Sequence, residues 1–373
     1  MRKTFHTAVT TLAIFGLLAG CSKTEPPGDS TAPPGTPTSQ AAAVSTAAAS
    51  TGSQTTVKLL THDSFAVPDG LFDKFTEQTG LTVEVLSSGG AGELTNQLIL
   101  TKDHPLGDVA FGIDNGLAAR AVQAGVFTEP ASPIVTPPAQ AELSQQFAED
   151  AAKLVAMDTS DVCVNYDKNH FSGTGQKVPE TFADLTALAS SLVVENPATS
   201  SPGLAFLLAT IAAQPDSWQN YWKDLVAGGV KVAQSWTDAY EVDFSGPSSQ
   251  GDRPLVVSYA SSPASEIPDG STEPATGALL GTCFRQVEYA GVLSGTTNPQ
   301  GAAQLLEFLA STTFQDTVAD YMWVYPANPD AAIPDNWRDF APLASQPWTL
   351  DPADIAAHRD EWIDQWTEIV STN

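Results

Sequence analysis

Hydrophobic and polar positions follow two different periods in the first third of the chain. Runs such as VKLLT (57–61) and LTVEVLSS (81–88) indicate strands, whereas Leu71, Phe72 and Phe75 recur at helical spacing and stop at Gly80. Further along, GELTNQLIL predicts a helix, DVAFGIDN a strand with its loop, and NGLAARAVQAGVF another helix. Alternation of strands and helices predicts an α/β fold with a mostly parallel sheet.

The same alternation continues through the rest of the chain. Strands are predicted at DVCVNYD, VVEN, VKVA, PLVVSYA and GTCFRQVEY, and helices at TFADLTALASSL, SPGLAFLLATIAAQ, DSWQNYWKDLVAGG and from about Ser235. The stretch PQGAAQLLEFLASTTFQDTVADY predicts one long helix, and a terminal amphipathic helix should begin at Asp351-Pro352.

Polar and aromatic residues are concentrated where predicted strands end. They form five loops, THDSF (61–65), GIDN (112–115), ATSSPG (198–203), SWTDAY (235–240) and SYASSP (258–263). Loops at the carboxyl ends of parallel strands surround the binding crevice of an open α/β sheet. The pattern therefore predicts a cleft between two lobes.

The N-terminus has the pattern of an exported, lipid-anchored protein. Arg2 and Lys3 precede an apolar run too short to span a bilayer, and LAGC ends at Cys21. We predict a lipoprotein signal peptide over 1–20 and lipidation of Cys21; an ordinary signal peptide is the alternative. Residues 21–55 are rich in Pro, Ser, Thr and Ala, which predicts a disordered linker.

The charge balance excludes some partners without choosing one. A net charge of −27 and a pI of about 4.2 are incompatible with nucleic-acid binding, which needs a basic surface, whereas they attract small cations or simply keep the protein soluble. We find no catalytic constellation and no metal-ligand spacing among the five histidines. The sequence predicts a protein that is not an enzyme and holds no metal.

Cys163 and Cys283 remain once Cys21 is assigned to the lipid. Both lie in strand-like runs. They could form a disulfide between adjacent strands or stay as two buried free thiols.

Two aromatic residues in polar loops are candidates for holding a flat cation. Trp236 and Tyr259 could present their faces to a delocalised positive charge, or could pack at a domain edge. Asp63 and Asp114 could pair with that charge, although an Asp in a loop is more often a cap. Ser200 precedes a helix, where it could cap the helix or meet a phosphate.

Eight ordered segments resemble the thiamine-binding proteins of bacterial thiamine ABC transporters, within the type II periplasmic solute-binding proteins. They are THDSF, DVAFGIDN, VNYDKN, TSSPGL, SWTDAY, VSYASSP, WVYP and RDEWIDQW, and they extend over most of residues 57–366. This chain has His62 where better-known members have Tyr, and Ser265 where they have a further aromatic residue.

The resemblance implies a site and a domain organisation. The ligand-binding residues would be His62, Asp63, Gly90, Ala91, Asp114, Ser200, Ser201, Trp236, Tyr259, Ala260, Ser261 and Ser262. Lobe 1 would contain 56–158 and 289–328, and lobe 2 would contain 159–288 and 329–373.

The resemblance also implies a function. The protein would capture thiamine or a thiamine phosphate as cargo, use no cofactor, and deliver the cargo to a permease as a membrane-tethered monomer on the extracytoplasmic face. A ferric-ion or polyamine binder of the same fold is the alternative, with Tyr240 and Tyr259 as possible phenolate ligands.

Overall fold

The computed structural model describes residues 55–145 and 152–372, which fall within one compact unit of the chain. The predicted signal peptide, Cys21 and almost all of the predicted linker lie outside the described residues. Within the described part, no helix is both long and apolar enough to cross a membrane.

A single mixed sheet forms the centre of the described body. Its strands are β1 Thr56–Thr61, β2 Thr82–Ser87, β3 Val109–Asp114, β4 Phe127–Thr128, β5 Leu154–Asp167, β6 Leu192–Glu195, β7 Lys231–Ala233, β8 Leu255–Tyr259, β9 Thr276–Leu293 and β10 Tyr325–Pro326. The main order is β2-β1-β3-β9-β5-β8-β6-β7, with β4 added beside β9 and β10 beside β5.

Helices flank this sheet and confirm the α/β class. They are α1 Leu71–Thr79, α2 Ala91–Leu100, α3 Ala118–Gln123, α4 Pro138–Ser144, α5 Lys168–Thr174, α6 Phe182–Thr186, α7 Ser201–Ala213, α8 Trp218–Ala227, α9 Pro299–Ala310, α10 Thr312–Met322, α11 Trp337–Phe340 and α12 Pro352–Ser371. Local capping explains several ends: Gly80 closes α1 in the left-handed conformation, and the Asp351 carboxylate accepts the Ala353 N–H at the start of α12.

The pairing is parallel toward both edges of the sheet and antiparallel in the middle. Strands β1, β2 and β3 pair in parallel, as do β6, β7 and β8, in agreement with the predicted strand–helix alternation. The long strands β5 and β9 pair with each other in antiparallel fashion, and β9 also pairs with β3. The sheet is therefore mixed rather than mostly parallel, because these two strands join both halves into one sheet.

Two predicted helices differ in the structure. The single helix expected over 299–321 is divided into α9 and α10, because Ser311 adopts an extended conformation (φ −73°, ψ 156°) between them. The helix expected from about Ser235 is a short π-helix, Asp238–Asp243. Such π-turns are often found at functional sites.

Helix α7 is buried along nearly its whole length and directs its N-terminus at the site described below. Its residues from Ser201 to Ile211 are buried, and its apolar composition on all sides fits a helix enclosed by protein. The Ser200 side chain accepts the Gly203 N–H at 3.4 Å and caps its first turn. The predicted lobe boundaries at 158/159 and 288/289 fall within β5 and β9, and the one at 328/329 follows β10; all three stay a prediction.

The structure joins Cys163 of β5 and Cys283 of β9 in a disulfide. Both residues are buried, beside Ala260 and Ala344. The bond connects positions 120 residues apart, so it removes many conformations from the unfolded chain.

Replacing both cysteines with alanine should lower the free energy of unfolding by about 3–5 kcal/mol, because the unfolded chain regains the entropy of the open loop. Denaturant unfolding of the purified protein with and without reductant measures this. Reductant should destabilise the parent protein and leave the double variant unchanged; an equal response of both proteins would contradict the prediction.

Candidate functional site

A cavity of about 330 Å³ lies at the ends of the central strands. Its walls come from the loop after β1, the start of the π-helix segment, the end of β8, the middle of β9 and the C-terminal end of α10. The lining residues are His62, Asp63, Ser64, Phe65, Ala66, Trp236, Thr237, Glu241, Tyr259, Glu288, Tyr321, Met322, Trp323 and Val324. This volume is at the lower end of the range for small-molecule sites, about 300–1,000 Å³.

A second pocket of about 20 Å³ lies next to the first and shares part of its wall. It shares His62, Asp63, Ser64, Trp236, Tyr259 and Glu288 with the larger cavity and adds Gly90, Ala91, Ser200, Ser201, Pro202 and Ser235. We treat the two pockets as one site, which has a larger part lined by aromatic residues and a narrow part.

Three aromatic rings form one corner of the larger cavity. The Trp236 ring centroid lies 6.5 Å from that of Tyr259 and 6.3 Å from that of Trp323, with tilts of 48° and 58°. On another side, Trp236 stacks on Tyr240 at 4.9 Å and 13°. A flat ligand therefore has no slot between Trp236 and Tyr259, and it would stack on the ring surfaces that face the cavity.

Buried serines hold this aromatic corner in place. The Trp236 Nε1–H donates to Ser258 Oγ at 2.9 Å, and Ser258 Oγ lies 2.9 Å from Ser262 Oγ. The Ser261 hydroxyl donates to the Trp323 carbonyl oxygen. Of the predicted site residues, Ala260, Ser261 and Ser262 thus lie behind the wall and do not line either pocket.

Trp323 was not among the predicted site residues. It ends α10 with a left-handed φ of 57°, a conformation that costs a residue with a side chain about 1–2 kcal/mol. Strained backbone of this kind is concentrated at binding sites. The sequence signal was the WVYP segment, whose tryptophan occupies this position.

Glu288 is the second residue that sequence reasoning missed. It lies in β9, is 7% exposed, and lines both pockets. The His62 Nε2 lies 3.4 Å from its Oε2, and the Gln286 amide donates to its Oε1 at 3.1 Å. The available signal was a carboxylate between the apolar residues Val287 and Tyr289 of a predicted strand.

His62 reaches Glu288 because the neighbouring backbone leaves it room. A Cβ on Gly112 would lie 2.0 Å from the His62 ring, so position 112 needs glycine, and its φ of +94° requires glycine as well. The His62 Nδ1 lies 3.0 Å from Ser64 Oγ, so both ring nitrogens have partners.

Electrostatics in this part of the site favour positive charge. Burial lowers the pKa of His62, but the charge and hydrogen bond of Glu288, with Asp63 and Asp114, outweigh it and raise that pKa above its ordinary value. Burial also raises the pKa of Tyr259 well above its usual range, with added effects from Glu288, Asp158 and Asp114. The Tyr259 phenol therefore stays neutral at physiological pH.

The narrow pocket lies where two helix N-termini meet. Gly90 precedes α2 and Ser200 precedes α7, and the Gly92 N–H donates to the Thr199 carbonyl at 3.1 Å. A Cβ on Gly90 would lie 2.4 Å from that same carbonyl oxygen, so the close approach requires glycine. Gly90, Ala91, Ser200 and Ser201 thus lie together around this pocket.

Asp114 lies behind this pocket rather than in its wall. Its carboxylate accepts the Ser201 hydroxyl and, at 2.8 Å, the Gly116 N–H. Burial, moderated by the Ser201 hydrogen bond and reinforced by Glu288, raises the pKa of Asp114 to about 6. Gln286 also donates to Ser201 Oγ at 2.8 Å, so a hydrogen-bonded chain runs from Asp114 to Glu288.

The chain is similar to known proteins in both sequence and fold. The sequence model of the bacterial extracellular solute-binding proteins matches residues 105–348. A thiamine-binding periplasmic protein of Salmonella typhimurium is 27% identical, with 83% of this chain and 92% of the relative covered, and one of Brucella suis is 25% identical, with 85% and 92% covered.

Solved structures share this fold. A periplasmic thiamin binding protein superposes with a TM-score of 0.72 at 24% identity, covering 84% of this chain and 96% of the other. A ferric binding protein from Campylobacter jejuni superposes with a TM-score of 0.63 at 15% identity, covering 84% and 99%. These likenesses confirm the periplasmic-binding-protein-like fold.

Replacing Asp114 with asparagine should change how stability depends on pH. Because the folded-state pKa of about 6 lies above the ordinary 3.8, the unfolded chain loses this proton first, and stability falls as pH rises from about 4 through 6. The parent protein should lose about 2–3 kcal/mol more than Asp114→Asn between pH 4 and 8. Denaturant unfolding across this range measures the difference, and superimposable pH profiles would contradict it.

Proposed function

Because this chain belongs to the bacterial extracellular solute-binding proteins, we propose that it binds thiamine or a thiamine phosphate and delivers it to an ABC transporter permease. The ligand is cargo and is released unchanged. No catalytic step is part of this function.

The observation that carries the proposal is a single cavity that combines an aromatic corner with a buried carboxylate. Trp236, Tyr259 and Trp323 surround a space that Glu288 also lines. Thiamine has two flat rings, one of them a thiazolium cation. Aromatic faces and a carboxylate are the groups that bind a delocalised cation in a partly dry site.

The chemistry of the narrow pocket suits the other end of the ligand. Its walls combine the Ser200 and Ser201 hydroxyls with backbone N–H groups at the start of α2 and α7. Hydroxyls suit the hydroxyethyl group of thiamine, and a helix N-terminus also tolerates a phosphate. We assign this end of the site to the hydroxyethyl or phosphate group.

Capture would involve closure of two lobes. The predicted boundaries at 158/159 and 288/289 cut β5 and β9 where Asp158 and Glu288 are paired directly. Bending of these two strands at this point would move the loop after β1 against the loops that carry Trp236 and Tyr259. Hinge closure about a few residues is the usual motion of this fold.

The ferric-ion alternative receives less support from the geometry. The Tyr240 hydroxyl is buried and donates to Glu266 Oε1 at 3.1 Å, and its ring lies beneath Trp236 rather than in the cavity. Burial and the nearby Glu266 charge raise the pKa of Tyr240 well above its usual range. Tyr240 and Tyr259 are therefore not presented as a pair of phenolates.

The direct test is binding of thiamine to the purified protein. Thiamine should quench tryptophan fluorescence, because it would stack against Trp236 and Trp323, and titration calorimetry should give a one-to-one complex. Ferric ion serves as the competing ligand. Absence of both quenching and heat with thiamine would reject the ligand assignment.

The Trp236→Ala variant tests the aromatic corner within the same experiment. Loss of stacking and apolar contact should weaken thiamine binding by about 1–3 kcal/mol, roughly 10- to 100-fold. Trp362→Ala is the matched control, because Trp362 is also partly buried and stacked on a ring, that of His358, but lines neither pocket. Equal thiamine affinities of the two variants would show that Trp236 does not stack on the ligand.

We also propose that Cys21 carries the lipid that tethers the protein to the membrane, on the strength of the LAGC sequence at the end of the apolar run. Cys21→Ser should abolish incorporation of labelled palmitate and shift the protein from the membrane fraction to the soluble fraction. Retention of the label would assign the lipid to another residue.

A further inference from the structure

Three acidic residues lie in one row across the middle of the sheet. Glu288 of β9 is paired directly with Asp114 of β3 on one side and with Asp158 of β5 on the other. Asp114 and Asp158 are each 2% exposed. Directly opposed residues of neighbouring strands have their Cβ atoms about 4.5–5.5 Å apart, and like charges in such positions repel. The three carboxyl groups can therefore lie side by side only if some of them are protonated or a positive charge is close by.

Positive charge is scarce in the two pockets, although Arg359 acts on Asp114 at one end of the row. Neither pocket has a lysine or arginine among its described lining residues, and His62 is the basic side chain that lines both. Its Nε2 lies 3.4 Å from Glu288 Oε2. The other charged groups that act on His62 are Asp63 beside it and Asp114 of the row. His62 is thus placed as the local counter-charge of an acidic site.

Glu288 is the member of the row that faces the cavity. Asp114 is covered by Ser201 and Gly116, whereas Glu288 lines both pockets between the aromatic corner and the narrow part. A cation that stacks on the cavity faces of Trp236 and Trp323 would lie next to its carboxylate. The same carboxylate is in contact with His62.

We propose that Glu288 is the counter-ion that selects a positively charged ligand in this cavity, and that His62 supplies the opposing charge only while the cavity is empty. The proposal rests on the proposed thiamine-binding function and deepens it, since it defines the ligand class by charge. On binding, the ligand cation takes the place of the imidazolium charge, and His62 releases its proton to solvent. One cation is bound for up to one proton released.

The electrostatics set the sign of the pH effect. Glu288 raises the pKa of His62 in the empty protein, and a ligand cation beside Glu288 lowers it again. Affinity should therefore rise with pH between the bound-state and free-state pKa of His62, by at most about tenfold per pH unit for one proton. Asp114, with a pKa of about 6, acts in the same direction, and so does Asp158, whose pKa burial and Glu288 raise well above its ordinary value. The contribution of His62 must therefore be separated from theirs by variants.

The first experiment compares two ligands that differ in charge. Thiamine and 3-deazathiamine, in which a thiophene replaces the thiazolium ring, have nearly the same shape, but only thiamine is cationic at that ring. Calorimetry on the full-length parent protein should give about tenfold or greater preference for thiamine. Glu288→Gln keeps the shape and removes the charge, and should bring the two affinities to within about twofold of each other.

The second experiment measures the protons released on ligand binding. Its first part needs only the parent protein. Thiamine binding to the parent protein, measured in buffers of different ionisation enthalpy below pH 7, should release a fraction of a proton, and 3-deazathiamine should release none. His62→Asn should release clearly less than the parent protein, whereas Asp114→Asn, Asp158→Asn and the remote His358→Asn should each keep the part that His62 supplies. Release from His62→Asn as large as from the parent would overturn the role of His62.

The outcomes separate this inference from the proposed function. If the parent protein binds neither ligand, the thiamine assignment itself fails. If it binds both equally, or if Glu288→Gln keeps the preference, thiamine binding stands and the counter-ion role of Glu288 is overturned. Binding without proton release likewise overturns the exchange at His62 while leaving the ligand in place.

Discussion

The antiparallel pairing of β9 with β3 and β5 is the constraint on which the site depends. This pairing fixes Glu288 between Asp114 and Asp158 and connects the two parallel parts of the sheet. A carboxylate in the centre of a sheet loses much of its hydration, so its charge acts strongly on whatever occupies the adjacent space. The acidic character of the cavity is thus a property of strand register.

The aromatic corner depends on polar residues that do not touch the ligand space. Hydrogen bonds from Trp236 to Ser258 and from Ser261 to the Trp323 carbonyl orient two indoles of the corner. The second bond also helps to hold Trp323 in its left-handed conformation. Such fixed partners reduce the entropy lost when a ligand orders the side chains around it. The serine-rich loop after β8 therefore supports the site from behind.

Glycines decide how closely the parts of the site approach one another. Gly112 admits the His62 ring to Glu288, and Gly90 brings the start of α2 against the loop before α7. Larger residues at these positions would separate the aromatic part of the cavity from the narrow pocket. The site is compact because backbone, not side chain, forms these contacts.

The sequence by itself determined the features that depend on neighbouring residues. The α/β class, the stop of α1 at Gly80 and the cap of α12 at Asp351 follow from local period and capping chemistry. Trp236 and Tyr259 were predicted to lie in loops, but Trp236 lies in a helical turn and Tyr259 is the last residue of β8. The sequence could not decide between a disulfide and two free thiols, because local sequence does not determine the distance between two strands.

Only the tertiary structure decided which distant residues meet. His62 and Glu288 are 226 positions apart, and Gln286 and Ser201 are 85 apart, so no local pattern could pair them. The break at Ser311 and the left-handed Trp323 likewise arise where α9 and α10 pack around the sheet. Strand register across β3, β9 and β5 is set by packing on both faces of the sheet, and it created the buried acidic row that the sequence did not reveal.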